Sequence, residues 1–79
     1  LGRGAPLDKA QAARWYRLAA QSGDAGAMYL YASMVETGDG VPRDLAEARY
    51  WYAAAARNGE AGAAEKARAI DEKLKVPAS

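Results

Sequence analysis

The chain repeats itself in one fixed register. Residues 13–27 read ARWYRLAAQSGDAGA, and residues 49–63 read RYWYAAAARNGEAGA. A step of 36 positions carries Trp15-Tyr16 onto Trp51-Tyr52, Ala19-Ala20 onto Ala55-Ala56, and Gly23 onto Gly59. It also carries Ala25-Gly26-Ala27 onto Ala61-Gly62-Ala63, Ala10 and Ala12 onto Ala46 and Ala48, and Asp8 onto Asp44. Gly2, Gly4 and Pro6 meet Gly38, Gly40 and Pro42. A unit of this length has room for one helical hairpin. A hairpin cannot cover its own apolar face, so units of this kind stack on one another.

Punctuation divides each unit into two helices. In GDGVPRDLAE, Gly38 and Gly40 end one helix, Pro42 keeps the loop extended, and Asp44 is suited to cap the next. Glu47 stands three residues on, the spacing of a capping box with Asp in place of Ser or Thr. Asp8 with Gln11 repeats the arrangement. Gly23 and Gly59 suit the left-handed position just past a helix end. The spacing predicts four helices, at about 8–21, 25–37, 44–57 and 61–75. The short connections make sequence neighbours antiparallel. Alanine, the strongest helix former, accounts for 21 of 79 residues, and Val, Ile and Thr are few, so the class is all-α.

Helical spacing then assigns faces. The expected core stripes are Ala12, Trp15, Tyr16 and Ala19 on the first helix, and Ala27, Tyr31, Met34 and Val35 on the second. On the third they are Ala48, Trp51, Tyr52 and Ala55, with Leu45 at the edge. The fourth carries Ala63, Ala67, Ile70 and Leu74. The rest of that helix, EKARAIDEKLK, is charged around most of its circumference, as a terminal cap would be, and Pro77 lies just past it.

These residues resemble the Sel-one-like repeat family, relatives of the tetratricopeptide repeat. The family pattern looks like A-x-x-x-L-G-x-x-Y-x-x-G-x-G-V-x-x-D, then A-x-x-W-Y-x-x-A-A-x-x-G-x-x-x-A. The matching positions are Ala27, Gly38, Gly40, Val41, Asp44, Ala48, Trp51, Tyr52, Ala55, Ala56, Gly59 and Ala63, and an earlier partial copy runs from Gly2 to Ala27. Tyr31, Ala32 and Val35 depart from the family's Leu, Gly and Tyr, and the last helix has Ala67, Arg68 and Asp71 there. The resemblance implies a short right-handed α–α solenoid fragment of antiparallel helix–turn–helix repeats. With about one and a half repeats, a cap and no initiating Met, the chain reads as one segment, residues 1–79, of a longer array.

Composition limits the chemistry. There is no histidine and no cysteine, so the commonest general base, the commonest metal ligand and all thiol chemistry are missing. Ser22, Ser33, Thr37 and Ser79 are the candidate nucleophiles, and none has a histidine to activate it. GDGVPRD lacks the Gly-Lys-Ser/Thr ending of a phosphate loop and the alternating oxygens of a calcium loop. The Trp-Tyr pairs suggest stacking platforms, but their place beside alanines on one stripe favours core packing. Eleven basic against ten acidic residues give a net charge of +1, which favours neither nucleic acid nor an anionic membrane. Arg14, Arg17 and Arg49 read as a solvated strip with local ion pairs. No apolar stretch approaches the length of a membrane span. No enzyme activity, metal or cofactor is expected.

What remains is a surface for a protein or peptide. Tyr29 falls opposite the expected core stripe of the second helix, with Ser33 and Glu36 on its side and Leu30 at the border. The resemblance implies that this helix lines a concave binding face. Tyr50 stands off the stripe of the third helix, where the earlier copy has Arg14. An off-core tyrosine offers apolar area and a hydroxyl at low entropic cost. The expected function is an adaptor or scaffold module. Self-association through an apolar flank left on the first helix is the alternative, and hydrolysis or ligand binding a weaker third. The resemblance implies bacterial envelope, signalling, regulatory or quality-control assemblies, which leaves cytoplasm and periplasm both open.

Overall fold

The computed structural model describes residues 8–75. Gly2, Gly4, Pro6, Pro77 and Ser79 lie outside the described residues. Four helices follow one another: α1 (Lys9–Gln21), α2 (Ala25–Thr37), α3 (Leu45–Arg57) and α4 (Ala63–Leu74). The described residues contain no strand. Each helix packs on the next. Contacts between opposite ends show the neighbours to be antiparallel. Lys9 at the start of α1 pairs with Asp39 beyond the end of α2, and Arg49 early in α3 pairs with Asp71 late in α4.

Local chemistry sets the helix ends. Asp8 Oδ1 accepts from the Ala10 and Gln11 N–H groups at 3.1 and 3.2 Å, and Asp44 Oδ1 accepts from the Glu47 N–H at 3.1 Å. Asp24, not singled out in the sequence, caps α2 in the same way through the Ala27 N–H at 3.1 Å. Each cap satisfies a first-turn donor that has no partner within its own helix. The capping box at Asp44 is only half made. Its own N–H donates to the Val35 carbonyl at 3.0 Å, and the Glu47 carboxylate turns to the Trp51 ring nitrogen at 3.4 Å. Asp44 is therefore the cap of α3 rather than its first residue. α4 begins two residues later than the spacing predicts, after a turn that ends on left-handed Gly62 with no side-chain cap.

The ends of α1 and α3 are the same structure built twice. The Gly23 and Asp24 N–H groups donate to the carbonyls of Ala20 and Ala19 at 3.0 and 3.2 Å. Thirty-six positions on, Gly59 and Glu60 donate to Ala56 and Ala55 at 3.1 and 2.9 Å. Both glycines have positive φ, 101° and 96°, as this terminating motif requires.

The core has two connected layers. One joins Ala13, Tyr31, Ala32, Val35, Ala48, Tyr52 and Ile70. The other, nearer the repeated helix ends, joins Ala20, Ala27, Met28, Ala54, Ala55 and Ala63. Large rings lie among alanines, which lets helix backbones approach while the space stays filled. The expected stripes on α2 and α3 lie in or against this core, to which the structure adds Met28, Ala32 and Ala54. On α4, Ile70 is fully buried but Leu74 is exposed.

The expected stripe of α1 is overturned. Trp15 is 67% exposed and Tyr16 37% exposed, while Ala12 and Ala19 are half-buried. α1 instead buries Ala13 and Ala20 toward α2. In the second copy, α2 covers the Ala48, Tyr52 and Ala55 face. None of the described helices occupies the corresponding position against α1.

Candidate interaction surface

The residues expected to meet a partner divide into two groups. Tyr29 and Glu36 point inward rather than opposite the core. The Tyr29 ring meets the Tyr52 ring edge-on, with centroids 5.2 Å apart at 74°. Glu36 joins three helices: its Oε1 accepts from the Tyr52 hydroxyl at 2.9 Å, and its Oε2 lies 3.6 Å from Lys73 Nζ on α4. Burial raises the Tyr52 pKa well above its ordinary value, and the hydrogen bond to the Glu36 carboxylate raises it further. Glu36 also donates structure through its backbone, since its carbonyl accepts from Arg43 Nε at 3.0 Å. Sequence spacing missed this because α2 is packed on by α1 and by α3, while a helical wheel supposes one covered side.

Leu30, Ser33 and Tyr50 remain accessible. Leu30 is 46% exposed, Ser33 is half-buried, and Tyr50 is 57% exposed. Leu30 and Ser33 share one side of α2 with exposed Thr37. Tyr50 lies on α3, held edge-on against Trp51 at 5.2 Å and 80°. Trp51 is fixed in turn by an edge contact with Tyr31 at 5.8 Å and by the Glu47 carboxylate. Tyr31 titrates above its ordinary value, first because it is buried and then because Glu47 is near; Arg17 opposes the shift.

Tyr50 belongs to an open groove of about 440 Å³ between α1 and α3. Ala20, Met28 and Ala54 line its base, and Gln21, Arg57 and Asn58 its rim. A second depression of about 300 Å³ lies on α1 among Arg14, Arg17, Leu18 and Gln21. The expected basic strip does not form as one surface, because Arg49 is engaged with Asp71 while Arg14 and Arg17 line the α1 depression.

No group of three or more metal-ligating side chains is gathered among the described residues, and no helix there is long and apolar enough to cross a membrane. The antiparallel hairpins and their repeated ends define a helical-hairpin repeat protein of the solenoid class. The Sel1 repeat model matches residues 1–24 and 25–60, and the chain belongs to that family. Sel1 repeats are generally helical modules that mediate protein–protein interaction. No curated protein and no solved structure matches the chain.

Proposed function

We propose that the chain is an adaptor or scaffold module that presents a rigid helical surface to a protein or peptide. The observation that carries this reading is the exposure of large apolar side chains on capped, well-packed helices: Leu30 on α2 and Tyr50 on α3. The layered core fixes where these groups stand, and a preorganised contact loses little entropy on binding. Leu30 and Ser33 are the contacts on α2, and Tyr50 is the contact on α3. Tyr29 and Glu36 support the surface from within.

The test is affinity capture with the 79-residue chain as bait and mass spectrometry as readout. Leu30→Glu and Tyr50→Ala are expected to release captured proteins while far-UV circular dichroism stays unchanged. Capture unaffected by both substitutions would refute the reading. A second reading, self-association, draws on the exposed flank of Trp15, Tyr16 and Leu18 on α1. Sedimentation at micromolar concentration decides it, since a stable monomer would rule it out.

A further inference from the structure

Both grooves on the α1–α3 side use the same repeat positions. Adding 36 to Arg14, Leu18 and Gln21 gives Tyr50, Ala54 and Arg57. One framework thus presents two different sets of side chains. In the first copy two cations, Arg14 and Arg17, precede Leu18, which fills the middle. In the second the cation stands late, alanine leaves the middle open, and a tyrosine walls the groove.

The larger groove has an apolar floor and a cationic rim. Ala20, Met28 and Ala54 are buried at its base, so only a shallow apolar floor is offered. Trp51 and Tyr50 form one wall, held at a fixed mutual angle. The rim amide of Asn58 is already committed, donating to the Ala54 carbonyl at 2.8 Å. Arg57 is exposed and has no ion-pair partner among the described residues. Arg14, in the neighbouring depression, has none there either. The nearby Glu47 carboxylate is occupied by the Trp51 ring nitrogen. A volume of about 440 Å³ accommodates one or two side chains rather than a folded element.

We infer that this groove binds a short acidic peptide segment carrying one aliphatic or aromatic anchor. The anchor lies on the Met28 and Ala54 floor beside the Tyr50 ring. A flanking carboxylate pairs with Arg57, where a planar guanidinium can donate two parallel hydrogen bonds. A second acidic residue reaches Arg14. This inference rests on the reading of the chain as an interaction module, and it names the partner's chemistry at a face apart from Leu30 and Ser33.

Trp51 is a built-in reporter. Trp15→Phe, at an exposed position, leaves it as the sole tryptophan of the chain. The probe is the peptide acetyl-Glu-Asp-Leu-Asp-Glu-amide, titrated against that variant while tryptophan emission is followed. Saturable change is expected, with affinity reduced at least tenfold by Arg57→Ala and again by Tyr50→Ala. Acetyl-Lys-Lys-Leu-Lys-Lys-amide is expected to give no response, and affinity is expected to fall as salt rises.

Circular dichroism verifies the fold of each variant; if Arg57→Ala is unfolded, Arg57→Gln takes its place. No saturation with the acidic peptide, binding unchanged by the Arg57 and Tyr50 substitutions, or equal binding of the basic peptide would each overturn the inference. So would stronger, competing binding of an oligothymidine, which would make the site one for nucleic acid. If the peptide fails while Leu30-dependent capture persists, only this inference falls. If capture fails as well, the interaction-module reading falls with it.

Discussion

Tyr16 and Tyr52 occupy the same place in two copies of one unit, yet Tyr52 is fully buried and Tyr16 is 37% exposed. Their flanking alanines follow suit: Ala48 and Ala55 are inaccessible, whereas Ala12 and Ala19 are half-buried. The two tyrosines share their tryptophan and the alanines of the pairs Ala12 and Ala48, Ala19 and Ala55, and Ala20 and Ala56, so the stripe is the same and what differs for it is the neighbourhood. α3 lies between α2 and α4, so its ring is enclosed and its hydroxyl finds Glu36. α1 packs chiefly on α2, through another side of the helix. In a repeat protein, burial belongs to the interface between units more than to the motif within one.

Removing each ring in turn tests this contrast most strongly. Tyr52→Ala is expected to cost about 3–5 kcal/mol through the lost burial and the cavity left behind, enough to unfold a domain this small. Tyr16→Ala is expected to cost about 1 kcal/mol, the usual scale for a partly exposed site. Urea unfolding followed by circular dichroism compares them, and equal losses would show that α1 has a covering the described residues do not provide.

A smaller contrast lies in the loops. Gly40 has a φ of +82°, and a Cβ there would stand 2.5 Å from the Lys9 carbonyl oxygen. Gly23 has a φ of +101° with open space around it. Gly40→Ala is therefore expected to cost about 2–3 kcal/mol, combining left-handed strain with a backbone collision. Gly23→Ala is expected to cost only the strain, about 1 kcal/mol. Thermal melts of the two variants give the order, and a larger loss at Gly23 would refute it.

The smallest effect concerns the Tyr52 hydroxyl. Tyr52→Phe keeps the ring and is expected to cost about 1 kcal/mol, the net value of a hydrogen bond. The pH dependence is more diagnostic. Below the ordinary tyrosine range, near pH 10, both states keep the proton and the full stability is present. Above it the unfolded chain loses the proton while the folded state, whose pKa is raised, retains it. Stability then falls as pH rises. In Tyr52→Phe this slope is expected to shrink to the part due to Tyr31. An unchanged slope in denaturation midpoints above pH 10 would reject the assignment.

The helix ends were legible because capping is local. Asp8 and Asp44 sit next to the groups they satisfy, and Gly23 and Gly59 lie at the positions a helix terminator demands. The fates of Trp15 and Tyr16 were not legible, because no local pattern tells whether another helix covers them. Tyr29 and Glu36 were misplaced for the opposite reason: α2 is approached from more than one direction. Of the groove, Tyr50 was visible as a place where the copies disagree. Arg57 disagrees with Gln21 in the same way, a second difference between the copies at this groove. Met28 and Asn58 became meaningful only when three helices brought them to one place.

Glu36 has a consequence for how the chain comes apart. Its two carboxylate oxygens face different helices, the inner one toward Tyr52 and the outer one toward Lys73. Fraying of α4 is expected to release the longer ion pair first and to leave the shorter bond between α2 and α3 closed. Loosening of α1 touches neither. The molecule is thus expected to open from its edges like a stack of cards, with the backbone amides of the central hairpin the last to exchange in a hydrogen-exchange measurement.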